Sequence, residues 1–245
     1  MTIKTVIAVG KSRKGKNQVK NDDRFLVIDL DKNNHLLAVS DGMGGHPGGD
    51  VAAKDIMACL RSIDIDIVDK STRLTDAINQ ADIKIRNRVK NEPKFEGMGA
   101  TATAAIIGTK WLYWAHVGDS RIYLMRNGVI RQITKDHTFL QDLIDAGDIS
   151  AKAAVVHPMR HVLDQCVGCI DSGVENGKFK IYSGDIILVC TDGLHCAVAE
   201  DKIAEILLST EHASHCIDSL IEASLQGGSL DDITVAVAFL HNKRQ

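Results

Sequence analysis

The chain has 245 residues, 44% apolar and 25% charged, with a formal net charge of -3. That length suits one large β-rich domain, and the nearly balanced charge carries no global signature of nucleic-acid or membrane binding. No apolar run approaches the roughly 18–20 residues a membrane helix needs, the first residues lack a signal peptide's basic start and apolar core, and six Cys in so long a chain make no disulfide scaffold. A cytoplasmic protein is expected.

In chain order, apolar β-rich runs predict strands at about 3–9, 25–30, 35–40, 100–107, 111–117, 121–126, 129–133, 185–191 and 233–240. Asp31-Lys32-Asn33-Asn34 and Arg126-Asn127-Gly128-Val129 are hairpin links, so neighbouring strands run antiparallel. Helical spacing predicts helices over 49–61, 72–90, 139–146, 201–209 and 213–225. In the second, Leu74, Ala77, Ile78, Ala81, Ile85 and Val89 form one apolar face. Single-faced helices beside antiparallel strands predict an α+β fold, two packed sheets with helices on their outer faces. No repeat or Pro-rich linker divides residues 1–245, so one domain is expected, interrupted by an insertion at about 135–184.

Several sequence signals lead elsewhere. Asp29, Asp31 and Asn33 imitate the start of a calcium loop, but Asn34 replaces its Gly and Ser40 its bidentate Glu. Gly10 to Lys16 imitates a phosphate-binding loop, yet Asn17 stands where a hydroxyl belongs and no apolar helix follows. Cys166-Val167-Gly168-Cys169 has redox or zinc half-site spacing, but no second CxxC or HxxxH completes a tetrahedral site. Cys59, Cys190 and Cys196 sit in apolar surroundings where free thiols commonly pack.

The chemistry concentrates in Asp residues at the ends of apolar runs. Asp41, Asp119 and Asp192 each follow one; Asp23 and Asp231 each precede one. In antiparallel neighbours these positions meet at one rim. Without a cation the gathered carboxylates would lose hydration and repel one another, at several kcal/mol per ion in a buried setting, so a hard divalent metal is expected. Asp41-Gly42-Met43-Gly44-Gly45 lets the backbone approach an ion, making Asp41 and the Gly42 carbonyl a natural ligand pair. Taken alone, the same residues read equally as a Gly-rich turn before the helix at Gly49.

The ordered string Asn21-Asp22-Asp23, DGMGGH from Asp41, GATA from Gly99, VGDSR from Val117, Asp136-His137, TDGL from Thr191 and DDIT from Asp231 closely resembles the metal-dependent Ser/Thr protein phosphatases of the type 2C or PPM family. The resemblance covers nearly the whole chain. It implies a β-sandwich flanked by helices with a binuclear Mn2+ or Mg2+ centre. Asp23, Asp41, the Gly42 carbonyl, Asp192 and Asp231 match the ligands of the two-metal core. Asp22 takes the place of an acidic residue that supports a metal-bound water, and Asp119, sharing Asp192, matches a third, weaker site. The implied chemistry is in-line attack on phosphoserine or phosphothreonine by a hydroxide bridging two metals, whose charge lowers the pKa of water. The implied partners are phosphoproteins, a Ser/Thr kinase or its substrates; no nucleic acid or membrane is expected, and a monomer is.

Three positions depart from the family pattern. Gln18 stands where many members carry a phosphate-gripping Arg, which shifts that task to Arg13, Lys14, Lys16 or Lys20 in the basic run. Met43 replaces the His of many eukaryotic members and matches the bacterial type; His46 lies close by as a further proton-donor candidate. Asp232 replaces the usual Asn. Arg121 is expected to hold Asp119 or the adjacent turn, His137 to order the chain entering the insertion, and His116 to be a core residue. The lost Arg also favours an alternative, a weakly active phosphatase-like binding or signalling module, against which stands the complete set of five core ligands.

Overall fold

The computed structural model describes residues 3–43, 48–65, 69–154, 157–169, 173–210 and 212–242, and its strands form two five-stranded antiparallel sheets. The first has the order β1 (Thr5–Arg13), β10 (Ile233–His241), β9 (Ile186–Cys190), β6 (Arg121–Arg126) and β7 (Val129–Gln132). The second has the order β2 (Arg24–Asp31), β3 (Asn34–Ser40), β4 (Ala102–Ile107), β5 (Trp111–Val117) and β8 (Glu175–Lys180).

The sheets are apolar on both faces because side chains alternate along a strand. In β10, Ala236, Ala238 and Leu240 turn toward the other sheet, where with Ile122 and Val189 of their own sheet they meet Leu37 and Val39 of β3. Val235, Val237 and Phe239 turn outward beneath α5 (Asp192–His195), α6 (Glu200–Leu208) and α7 (Ala213–Gln226). On the second sheet, Leu36, Ala38, Ala104 and Ile106 meet α1 (Gly49–Arg61) and α2 (Lys70–Asn91). Three apolar layers thus hold four layers of structure together, each fully buried Leu or Ile contributing about 2 kcal/mol. The predicted apolar face of α2 is the one it buries, and Asp69 caps the helix by accepting from the Ser71 amide.

Four elements escaped the sequence reading: β8, α4 (Ala151–Ala154), α5 and a 3-10 turn at Pro93–Phe95. Strand β8 is Glu-Asn-Gly-Lys-Phe-Lys, too polar to register as a strand, yet it pairs with β5 at the sheet edge, and Phe179 packs into the layer between the sheets. The insertion therefore returns to the sheet before it ends. Of the false signals, Gly10 and Lys11 lie inside β1 and pair with Ala236 and Val235, while Asp31 accepts from Asn33 and Asn34 in a hairpin turn.

Register places the Asp residues. Arg24 faces Ser40 across β2 and β3, so Asp23 and Asp41 leave the same rim. Cys190 faces Val235 on one side and Arg121 on the other, which brings Asp192, the 231–232 pair and the Asp119 turn to that rim. Asp119 lies where the chain crosses from β5 in one sheet to β6 in the other.

Candidate metal centre

The five Asp residues converge. Burial first, then the charges of Asp23, Asp192, Asp119 and Asp231, push Asp41 well above the usual carboxylate range. Burial raises Asp23 to about 8, against opposing hydrogen bonds from Thr234 and Thr191 and with further repulsion from Asp192. Asp119 is raised mainly by burial and by Asp192. Asp231, exposed at the rim, is raised by partial desolvation and then by Asp192. Asp192 goes the other way: burial opposes its ionisation, but the nearby His161, His195 and Asp41 outweigh it and lower its pKa. Without a cation, burial and mutual repulsion favour the protonated forms of Asp41, Asp23 and Asp119 and the ionised form of Asp192.

Surrounding polar groups fix these carboxylates. The Thr191 hydroxyl donates to Asp23 Oδ2 at 2.8 Å, and the Asp23 amide donates to Asn21. The Asp41 amide donates to Thr101 Oγ1, which also hydrogen-bonds Ser120; the Thr101 amide returns a bond to the Asp41 carbonyl. His195, partly buried, is lowered to about 4 first by desolvation and then by Arg121 and is therefore neutral at pH 7, and its Nε2 lies 3.0 Å from the Asp119 carbonyl. A side chain at Gly193 would place its Cβ 2.0 Å from the Asp232 carbonyl oxygen, so only Gly allows this approach behind Asp192.

The donor set fits a hard divalent cation. It is almost entirely carboxylate and carbonyl oxygen, and Asp192 Oδ1 is buried with no hydrogen-bond partner among the described residues. A buried carboxylate oxygen left unpaired is costly, and a cation removes that cost together with the repulsion.

Several expected residues take other places. Arg121 grips Asp136, not Asp119, with Nε 2.9 Å from Oδ1 and Nη2 2.6 Å from Oδ2, and its Nη1 donates to Tyr123. The reason is register: β6 directs Arg121 toward the link after β7, where Asp136 lies. Cys196 is exposed beside the site, not packed in apolar surroundings, because the chain turns outward after the short α5. Cys190 is buried as expected. Asp232 accepts from the Gly15 amide at 2.7 Å through Oδ1 and from the Asp22 amide at 2.6 Å through Oδ2, so its two oxygens tie the basic loop to the first carboxylate segment. His116 is a satisfied core residue between Thr103 and the Lys135 carbonyl, and His137 holds the Gly118 amide at the entry to the insertion. His46 lies outside the described residues, as do Gly44, Gly45 and Pro47.

Among the four cations of the basic run, Lys20 pairs with Asp50 at 2.6 Å and Asp22 at 3.3 Å, and Lys14 donates to the Gln18 carbonyl. Arg13 and Lys16 are exposed. Gln18 itself donates to Asp231 Oδ1 at 3.1 Å. The cleft beside Asp192 and Asp231, about 480 Å3, is lined instead by Arg160 and His161 together with Gln18. His161 Nδ1 stands 3.6 Å from Asp192 Oδ2, and His161, Asp192 and Cys196 bring N, O and S atoms within 4.8 Å of one another. Sequence reasoning missed Arg160 and His161 because they are exposed residues of the insertion, with no strand end to mark them.

Residues 8–142 match the family model described as protein phosphatase 2C. The chain is 39% identical over 205 residues to the serine/threonine protein phosphatase PstP of Mycobacterium tuberculosis, covering 83% of this chain and 40% of that protein. It is 33% identical over 238 residues to the serine/threonine phosphatase stp of Listeria monocytogenes, covering 92% of each. The chain thus spans about 40% of the length of the PstP relatives but nearly all of the Listeria one. Among solved structures, that of M. tuberculosis PstP/Ppp superposes with a TM-score of 0.89 at 34% identity, covering 99% of this chain and 100% of that one. A PstP catalytic domain in complex with two manganese ions superposes with a TM-score of 0.86 at 32% identity, again over 99% and 100%.

Proposed function

This chain belongs to the protein phosphatase 2C family, and from that premise we propose that it is a Mn2+- or Mg2+-dependent hydrolase of phosphoserine and phosphothreonine in proteins. The observation that carries the reading is the buried, mutually repelling Asp cluster with its unpaired Asp192 oxygen, in a chain similar to a catalytic domain that holds two manganese ions. Asp23, Asp41, the Gly42 carbonyl, Asp192 and Asp231 would hold two metals, with Asp119 and Asp192 available to a third, weaker one. When bound, such metals supply a hydroxide nucleophile from water near neutral pH and positive charge for the phosphoryl oxygens.

The chain's own residues do the positioning. Thr191 and Thr101 fix Asp23 and Asp41, Asp232 holds Asp22 in place as outer support, and Gln18 orients Asp231. Arg160, in the insertion and lining the cleft, is the cation we place on the substrate phosphate, because a guanidinium offers a paired fork to two oxygens. Lys14 and Lys20 are engaged elsewhere, and none of the four cations of the basic run lines the cleft. We take residues 1–245 as one catalytic domain whose 135–184 segment shapes the substrate-facing surface. No described helix is long and apolar enough to cross a membrane. A monomer acting in the cytoplasm on the substrates of a Ser/Thr kinase completes the reading.

Phosphate release from a phosphothreonine peptide tests it. Release should require Mn2+ or Mg2+ and stop on chelation; turnover undiminished in metal-stripped protein, or no turnover with either metal, would overturn it. In the same assay Arg160→Ala should raise KM about tenfold, the worth of one charge-assisted hydrogen bond. Alanine at Arg13, Lys14, Lys16 or Lys20 should raise it less. The reverse ranking would return the phosphate grip to the basic run.

A further inference from the structure

Cys166 and Cys169 are joined in a disulfide, in a turn that is backbone-paired to the loop carrying Asp41 and Gly42. The pairing is a short ladder. Val167 and Ala100 exchange both amide bonds, at 3.1 and 2.9 Å. Ala100 bridges Gly42 on its other side, the Met43 amide donates to the Gly99 carbonyl, and the Thr101 amide donates to the Asp41 carbonyl. The cysteine turn is therefore the outer rung of a three-segment ladder whose inner rung carries Asp41 and Gly42. Cys166 and Met43 also close on the same residue between them, since a Cβ at Gly99 would lie 2.8 Å from Cys166 Sγ and 2.9 Å from the Met43 methyl.

The two sulfurs are placed differently. Cys166 is fully buried, whereas Cys169 is partly exposed and lines a cleft of about 930 Å3 with Met43, Arg86, Lys90 and Asp164. Helix α2 clamps the turn from outside: Arg86 donates to the Cys169 carbonyl and pairs with Asp82, which accepts from the Gly168 amide at 2.7 Å. Gly168 has φ of 98°, and a Cβ there would meet Ile85 at 2.7 Å, so the turn bringing the two Cys together depends on glycine.

We propose that Cys166–Cys169 is a redox modification site whose dithiol and disulfide states set the order of the Asp41–Gly42 loop. The oxidant is a low-molecular-weight disulfide. The Cys169 thiolate, reachable from the cleft and near Arg86 and Lys90, attacks it, forming a mixed disulfide and releasing one thiolate. The Cys166 thiolate then attacks the Cys169 sulfur, expelling the second thiolate. The two protein protons end on the two released thiols, so atoms and electrons balance. A three-residue spacing closes too small a loop to add much chain-entropy stabilisation, and in a reducing compartment a disulfide is more often a sensor than a staple. The oxidised pair fixes the outer rung; reduction frees Val167 and loosens its bonds to Ala100. The consequence for metal rests on the proposed function, while the modification itself does not.

The test equilibrates the protein in glutathione buffers of defined oxidised-to-reduced ratio and reads thiol state by alkylation and mass spectrometry. Amide hydrogen exchange at Ala100 and Val167 and Mn2+ affinity by calorimetry are measured on the same samples. Cys166 and Cys169 should oxidise together; reduction should speed exchange at both amides at least threefold and weaken Mn2+ binding at least threefold. Cys166→Ser/Cys169→Ser should show the reduced values in both buffers. Equal exchange in the two states overturns the proposal, as does a variant that still responds to the buffer. If neither state binds Mn2+, the metal assignment fails and the exchange rates alone decide, unchanged rates again overturning the proposal.

Discussion

Replacing Asp41 or Asp192 by alanine should lower kcat/KM for a phosphopeptide at saturating Mn2+ by about a thousandfold or more, roughly 4 kcal/mol of transition-state stabilisation. The estimate starts from groups that only support metal ligands, whose loss typically costs about 10–100-fold. Asp41 and Asp192 are nearer the chemistry than that. Each shifts the ionisation of the other, Asp41 feels all four other Asp residues of the cluster, and Asp192 carries the buried unpaired oxygen. Either substitution removes a ligand from the middle of the constellation.

The same variants should keep their fold. In metal-free protein burial and the neighbouring carboxylates raise Asp41 well above its unfolded value, which costs stability near neutral pH, so Asp41→Ala should melt no lower than the parent in chelator at pH 7.5, as read by circular dichroism. That pairing separates a lost site from a lost structure. A variant that retains parental activity with Mn2+ would remove its Asp from the centre.

The sequence exposed this site so readily because of where the carboxylates stand. Asp23, Asp41, Asp192 and Asp231 each adjoin a run of apolar residues, and antiparallel register carries the ends of such runs to a common rim. Asp119 was legible for a related reason, lying in the link between β5 and β6. The supporting bonds were not. Thr101 and Ser120 are small polar residues at strand ends, and only the folded geometry shows one hydroxyl holding the Asp41 amide. Asp232 looked like an extra charge beside Asp231; its two oxygens in fact satisfy two backbone amides more than 200 residues distant in sequence.

Insertion residues were hardest to read, since exposed polar segments carry no periodicity. Arg160 and His161 reach the cleft through a path that no local pattern announces. Strand β8 is the structural counterpart, a polar hexapeptide made into a strand by the free edge of β5. Gln18 shows the opposite case. The sequence marked it as a lost cation, and the structure gives it a separate task, donating to the rim carboxylate Asp231.

Mn2+ should raise the melting temperature far more at pH 7.5 than at pH 5.5, and chelator should abolish the rise at both. Asp23 titrates near pH 8 and Asp41 well above the usual range, against about 3.9 in the unfolded chain. Between about pH 4 and 8 the folded metal-free protein therefore holds protons that the unfolded chain has released, so this contribution to stability falls as pH rises. His116 and His195 act in the opposite direction. With values near 3 and 4 they are neutral in the fold, so stability falls as pH drops below about 6.5, where the unfolded chain takes up protons they do not. The metal-free melting temperature mixes the two trends, but the increment caused by Mn2+ isolates the carboxylates. A cation must displace their protons at pH 5.5 and meets fewer of them at pH 7.5. At a hundredfold excess over its dissociation constant at pH 7.5, Mn2+ should contribute about 2.7 kcal/mol. For a chain of this size that is a rise of roughly 5–10 °C. An equal rise at the two pH values would mean that the ion binds away from the protonated carboxylates, and the centre built from Asp23 and Asp41 would have to be abandoned.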